Sequence, residues 1–244
     1  MKKWVVLGCL LAGLSANVSY AQWTGKAEAG IVASRGNTDS DAANFKTDFT
    51  FKRANWVHQL GATAVYASDE TGTTGQRWEL RQQSDYDFSP KNFLFESLRY
   101  ENDRFSGFTY QATLASGVGH RFYDGATTKF SVQIGVGYKS SETRDALADD
   151  GITIIPGERQ QQVIGQGKAD FEHVLTDTTK VLDKLVIEAG SQNTFVQNDL
   201  SLQVRVLGAL ALAVGVTVRY NTDPPVGFSK TDTLTTLNLV YELK

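Results

Sequence analysis

Between Thr109 and Lys139 the chain carries two runs of strict apolar/polar alternation, each long enough to cross a membrane and joined by a short turn containing Gly125. In the first run Tyr110, Ala112, Leu114, Val118 and Phe122 share one face, with Gln111, Thr113, Gly117 and Arg121 on the other. In the second, Phe130, Val132, Ile134, Val136 and Tyr138 alternate with Lys129, Ser131, Gln133, Gly135, Gly137 and Lys139. Successive side chains of a strand point to opposite faces, so each run has one apolar and one polar side. Water is absent from the hydrocarbon core of a bilayer, and a strand can cross it only within a closed sheet that pairs every backbone group. The pattern therefore predicts an all-β fold, a transmembrane antiparallel up-and-down β-barrel with its apolar side outward.

The same alternation recurs in about twelve segments. The earlier ones run from Trp23 to Ser34, Ala43 to Lys52, Trp56 to Ala67, Arg77 to Phe88 and Phe93 to Asp103. In the last of these Phe93 and Phe95 have the opposite parity to Leu94, Leu98 and Tyr100, which suggests a bulge that shifts the phase. Later segments run from Gln162 to Leu175, Val181 to Ser191, Asp199 to Val206, Leu210 to Asn221 and Leu234 to Leu243. Most reach ten residues or so, whereas strands of a soluble sandwich usually stop near five or six. Short turns at Arg53 to Asn55, Ser89 to Asn92, Tyr123 to Thr128, Thr176 to Lys180 and Leu207 to Ala209 alternate with mostly longer loops. Those loops run from Arg35 to Ala42, Ser68 to Gln76, Arg104 to Phe108, Ser140 to Gln161, Gln192 to Asn198 and Thr222 to Thr233. Short periplasmic turns and longer extracellular loops are the outer-membrane arrangement. Aromatic residues gather at strand ends: Trp23, Trp56, Phe88, Phe93 and Phe130 towards the periplasm, and Tyr66, Trp78, Tyr110, Tyr138 and Tyr220 towards the exterior.

The first residues set the compartment. Lys2 and Lys3 precede an uncharged apolar run from Trp4 to about Leu14, and Ser19-Tyr20-Ala21 supplies small residues where a signal peptidase reads them. Residues 1–21 read as a cleaved Sec-type signal peptide and residues 22–244 as the barrel domain, exported to the cell outer membrane. Cys9, the only cysteine, lies within that signal, so the mature chain offers no thiol for disulfides, metals or nucleophilic catalysis. A formal net charge of −3 argues against a nucleic-acid partner.

Trp23-Thr24-Gly25-Lys26-Ala27-Glu28-Ala29-Gly30, then Arg35-Gly36-Asn37-Thr38, and later Arg99-Tyr100-Glu101-Asn102-Asp103-Arg104-Phe105, resemble the YdiY-like family of salt-induced outer-membrane proteins over nearly the whole mature chain. That family is built on a domain of unknown function. The resemblance implies a barrel in the outer membrane and a connection to salt stress, without an activity. The end, Tyr241-Glu242-Leu243-Lys244, departs from the terminal aromatic residue that barrel assembly machinery commonly recognises, although the aromatic-apolar spacing is kept.

Enzyme chemistry needs a nucleophile, a base and oxyanion donors that converge. His58, His120 and His173 each fall near a periplasmic turn, in phase with lipid-facing residues, and none has a serine in an arrangement like that of the outer-membrane phospholipase. They read as interfacial side chains, and no catalytic residue is assigned. Asn37, Asp39 and Asp41 are spaced like the opening of a calcium loop, but Ala42 stands where that loop needs glycine and Asp48 where it needs glutamate. Glu142, Asp145, Asp149 and Asp150 form a second acidic group in the longest loop, read as solvated loop charge, with divalent cations that bridge lipopolysaccharide as the alternative. No metal site or cofactor is implied.

The inward charges are the candidate functional residues. Lys26, Glu28, Lys46, Asp48, Arg77, Glu79, Arg81, Asp85 and Asp87 should line the lumen of adjacent early strands, their mixed signs pairing across strands. A barrel of this size lies between small filled barrels and wide porins. The reading is a non-enzymatic barrel in contact with outer-membrane lipid and lipopolysaccharide. Its role is a narrow passage for small solutes or ions, or a structural part of the envelope under osmotic stress. The alternatives are an adhesion barrel acting through the loop from Ser140 to Gln161 and a lipid-modifying enzyme.

Overall fold

The structure, a computed structural model, describes residues 22–34, 40–147 and 154–243. The expected signal peptide, Asn37, Asp39, Asp149 and Asp150 lie outside those residues. Strands are β1 (Gln22–Ser34), β2 (Ser40–Arg53), β3 (Trp56–Asp69), β4 (Gly72–Asp87), β5 (Asn92–Asp103), β6 (Phe108–Asp124) and β7 (Thr128–Thr143). A two-residue ladder, β8 (Ala146–Leu147) with β9 (Ile154–Ile155), caps the next loop. β10 (Arg159–Val174), β11 (Thr179–Gly190), β12 (Thr194–Leu207), β13 (Leu210–Asn221) and β14 (Thr231–Leu243) follow. Twelve of the strands close a barrel in the order β1-β14-β13-β12-β11-β10-β7-β6-β5-β4-β3-β2. All its neighbours are antiparallel and follow the chain, as an up-and-down barrel requires. The seam pairs Gly25 to Ala29 of β1 with Leu243 to Leu239 of β14.

Alternation survives as two rings of opposite character. Leu114, Val118, Ile134, Val136, Tyr138, Leu212, Val214, Leu237 and Leu239 are exposed on the outside, while Gln111, Thr113, Gln133, Lys139, Ala213 and Asn238, in the opposite phase of their strands, are buried within. The outer surface is apolar because lipid, and not water, is its solvent. Rings pack around the periplasmic rim: Trp23 tilted against Phe51 at 4.8 Å, Trp56 tilted against Tyr86 at 5.1 Å and Phe122 stacked on Phe130 at 5.4 Å. Trp78, Tyr100 and Tyr110 stack at the other rim. Pro90, Pro156, Pro224 and Pro225 lie outside the strands, where a missing amide proton breaks no ladder.

Several boundaries differ from the sequence reading. β3 and β4 continue to Asp69 and Gly72, so the loop expected from Ser68 to Gln76 is a tight turn at Glu70 and Thr71. The segment expected as a loop from Gln192 to Asn198 belongs mostly to β12. Strands that outgrow the membrane keep their ladder, because polar pairs are also stable in water. β5 carries no bulge: its register with β4 and β6 is unbroken. Bulges lie instead near strand ends, at Ala67/Ser68, Phe108/Tyr110, Arg121/Tyr123 and Arg205/Leu207, where rims are usually re-aimed.

Phe93 and Phe95 keep the inward phase and are buried, so Phe93 is no member of the outer girdle. Their rings occupy space that glycines on β6 and β7 leave open. A Cβ added to Gly119 would lie 2.1 Å from Phe93 Cζ, and one on Gly135 would lie 2.8 Å from Phe95 Cζ. Arg121 caps this packing with its guanidinium 4.5 Å from the Phe93 ring centre. Gly119→Leu is expected to destabilise the barrel by about 1–3 kcal/mol through overpacking, read as a lower urea midpoint. Phe93→Ala in the same chain should recover most of that loss by vacating the space.

Candidate functional site in the barrel lumen

The inward phase of each strand brings charged residues into a confined interior, where each must find a partner or remain costly. The nine early-strand charges divide into three groups. Lys26 donates to Glu28 at 2.7 Å and stands 3.9 Å from Asp48. Arg81 bridges Glu79 on its own strand and Asp48 on β2, the latter at 3.3 Å. Lys26, Glu28, Lys46, Arg77, Glu79 and Arg81 line a cavity of ≈ 70 Å³ whose far wall carries Lys184 and Asp199. Asp48 is not among the residues lining the cavity, but its Oδ2 is buried without a hydrogen bond. Asp85 is separate, accepting from Gln83 at 2.7 Å and Gln59 at 3.3 Å. Asp87 lies nearer the periplasmic rim and pairs with Arg121 at 2.8 Å.

The tightest constellation is formed by residues outside the nine candidate charges. Arg99 on β5 donates through Nε and Nη2 to Glu188 on β11, at 3.2 and 3.0 Å, a two-pronged contact. Lys139 on β7 donates to the same carboxylate at 3.0 Å, and Thr113 on β6 at 3.3 Å. Arg219 on β13 donates to Glu101 on β5 at 2.5 Å and to Asp103 at 3.1 Å. In the ring β5 and β13 stand opposite each other, so this contact crosses the full width of the lumen. Glu101 and Glu188 are fully buried.

Phe195 sits at the centre of these charges and is 1% exposed. Its ring lies 4.7 Å from the Arg99 guanidinium, 5.0 Å from the Lys139 ammonium and 5.3 Å from the Arg219 guanidinium. An aromatic face attracts cations by its quadrupole, most strongly away from water. One ring thus holds three cations whose counter-charges come from β5 and β11. Parity placed Lys139 on the polar face of its run, which was the available signal. Phe195 gave none, being apolar on a polar face within an expected loop.

The histidines occupy the periplasmic girdle. His58 stacks on Trp56 at 5.7 Å, and His173 on Phe171 at 6.2 Å. The ladder does bring one serine to a histidine, against the sequence expectation: His58 on β3 and Ser84 on β4 are register partners, with Nδ1 and Oγ 2.8 Å apart. No carboxylate among the described residues is hydrogen-bonded to the far ring nitrogen of His58, so the pair lacks the third member that orients a catalytic base. His120 contacts Asn92 at 2.7 Å and His173 contacts Thr128 at 2.8 Å in the same cross-strand manner. Among the described residues no group of three His, Cys, Asp or Glu is placed to hold a metal ion.

Comparison with known proteins agrees with this architecture. The chain is 23% identical over 220 residues to the uncharacterised protein YdiY of Escherichia coli (strain K12), covering 90% of this chain and 82% of that protein. Among solved structures, the translocator domain of the autotransporter NalP from Neisseria meningitidis superposes with a TM-score of 0.52 at 9% identity, covering 91% of this chain and 87% of that one. The NanC porin superposes with a TM-score of 0.50 at 6% identity, covering 91% and 99% respectively. Such low identities show the outer-membrane barrel fold alone. The model of the family described as "Protein of unknown function, DUF481" matches residues 27–243, nearly all of the barrel, and the chain belongs to that family.

Proposed function

We propose that the protein is a non-enzymatic outer-membrane barrel that passes small ions or solutes through a lumen held narrow by side chains. One observation carries this reading: the obstruction is a network of charged side chains and one phenylalanine, with no backbone plug among the described residues. Arg219 and Glu101 reach across the ring at 2.5 Å, and Arg99 with Lys139 converges on Glu188. Side chains rearrange far faster than backbone elements. Polar groups on both sides of the constriction, including the cavity lined by Lys26, Lys46 and Lys184, give permeating ions replacement partners for water. Export by a signal peptide at residues 1–21, residence in the outer membrane and contact with lipopolysaccharide belong to the same reading. So does use under salt stress, which rests on the resemblance to YdiY-like proteins.

Purified, refolded protein in planar bilayers, checked for heat-modifiable gel migration, should give small discrete conductance steps. Phe195→Ala removes the ring that gathers three cations and should enlarge the steps. A folded wild type and a folded Phe195→Ala variant that are both silent would replace this reading with that of a structural envelope barrel. Arg81→Gln and Asp85→Asn should shift the reversal potential in a salt gradient in opposite directions, towards cations and anions respectively. Glu188→Gln leaves Arg99 and Lys139 short of a counter-charge and should lower stability by about 3–5 kcal/mol, seen as a lower temperature at which the folded gel band disappears.

A further inference from the structure

The charges around the lumen cavity do not balance. Of the charged residues lining it, five are cations and three are carboxylates. Asp48, which pairs with Arg81 of that wall, raises the carboxylates to four and still leaves one positive charge over.

The contacts show which cations are left. Glu28 accepts from Lys26 at 2.7 Å and from Asn238 at 3.2 Å. Glu79 is shared by Arg81 and Arg99, and Asp48 lies 3.3 Å from Arg81 and 3.9 Å from Lys26. Asp199 accepts from Thr217 at 2.6 Å and Gln197 at 2.8 Å, and Asp170 is taken by Lys168 at 3.0 Å. Arg77 is the register partner of Asp103 and feels its charge together with that of Glu101. Lys46 on β2 and Lys184 on β11 remain, nearly opposite each other in the ring. Both feel Asp48 and Asp199 through space, but neither has a hydrogen bond or ion-pair contact among the described residues. A confined charge without a contacting partner is costly, and here the missing partner must come from outside the chain.

We propose that the cavity binds one small oxyanion, a carboxylate or a phosphate, between the ammonium groups of Lys46 and Lys184. The space of ≈ 70 Å³ is several times the roughly 10–15 Å³ that one water needs, which is room for such a group. Thr63 on the same wall accepts from Arg81 at 3.4 Å and keeps its own proton to give. Charge-assisted hydrogen bonds of this kind are the strong ones. Asp48 Oδ2 and Asn238 Oδ1 are buried without hydrogen bonds, so a cation is the competing occupant. As the solute class of a passage, small anions rest on the reading of the lumen given above; as a binding site, the cavity stands without it.

The full chain, refolded and checked for heat-modifiable migration, is titrated with sodium phosphate by isothermal calorimetry in a zwitterionic detergent, with a bulky sulfonate as the buffer anion. The wild type should bind one phosphate per barrel. Lys46→Met and Lys184→Met should each weaken binding by about tenfold or more. Lys129→Met removes an equal charge from the exposed pair with Glu172 and should bind as the wild type does. A folded wild type that binds no phosphate would overturn the proposal, as would binding indifferent to Lys46 and Lys184, weakening as large in Lys129→Met, or calcium bound from its chloride in place of phosphate. In planar bilayers Lys46→Met and Lys184→Met should lower the preference for anions. A silent barrel that binds phosphate through both lysines would remove the passage and leave the site, whereas a conducting barrel that binds none would remove the site and leave the passage.

Discussion

Every backbone amide and carbonyl within a bilayer must find its partner in the protein, and in this chain only closure of the ring provides it. The seam between Gly25 to Ala29 and Leu239 to Leu243 is therefore the contact on which the rest depends. Without it β1 and β14 would each present an unpaired edge to hydrocarbon. With it, even and odd residues of each strand are separated into an outer and an inner set, and the two sets meet different solvents.

The inner set is largely shielded from solvent, completely so at Glu101 and Glu188. Ten or more charged groups within one narrow tube cannot all be hydrated, so they pair, and the pairing joins strands distant in sequence. Arg219 and Glu101 are separated by 118 positions, and Arg99 and Glu188 by 89. Such contacts brace the barrel against collapse of its cross-section while occupying the space a passage would need. Support of the wall and obstruction of the lumen are here the same interaction. The aromatic groups complete it: Phe195 gathers cations at one level, while Phe93 and Phe95 fill the glycine-lined wall at another.

The outer set meets lipid, and its exceptions are informative for that reason. His58, Ser84, Glu96 and Ser116, register partners on β3 to β6 in the outward phase, form a polar row that would be unremarkable on a soluble protein. Flanked by rows that are apolar apart from Gln82, it is a local conflict with the surrounding lipid. The histidines show how position alters meaning. His58, His120 and His173 all sit among rings of the girdle, but His58 and its partner Ser84 also share a register row with the unpartnered carboxylate of Glu96.

Strand number and strand direction were legible in the sequence, because a period of two is a local property that any single strand displays, and the same parity is what singled out Lys26, Glu28, Lys46, Asp48, Arg77, Glu79, Arg81, Asp85 and Asp87 as candidates. The strand ends were less so, since ladders such as β3 to β4 extend into water where nothing in the pattern marks the membrane surface. Phe93, Phe95 and Phe195 misled for one reason: an apolar residue in polar phase reads as a shifted register or a loop until the space opposite it is known. Glycines on β6 and β7 and cations from three other strands supply that space and those partners. Which charge meets which across the lumen, and that His58, Ser84, Glu96 and Ser116 fall in one row, depend on the register of twelve strands around a closed ring. That register is a property of the whole circle, and only the tertiary structure decides it.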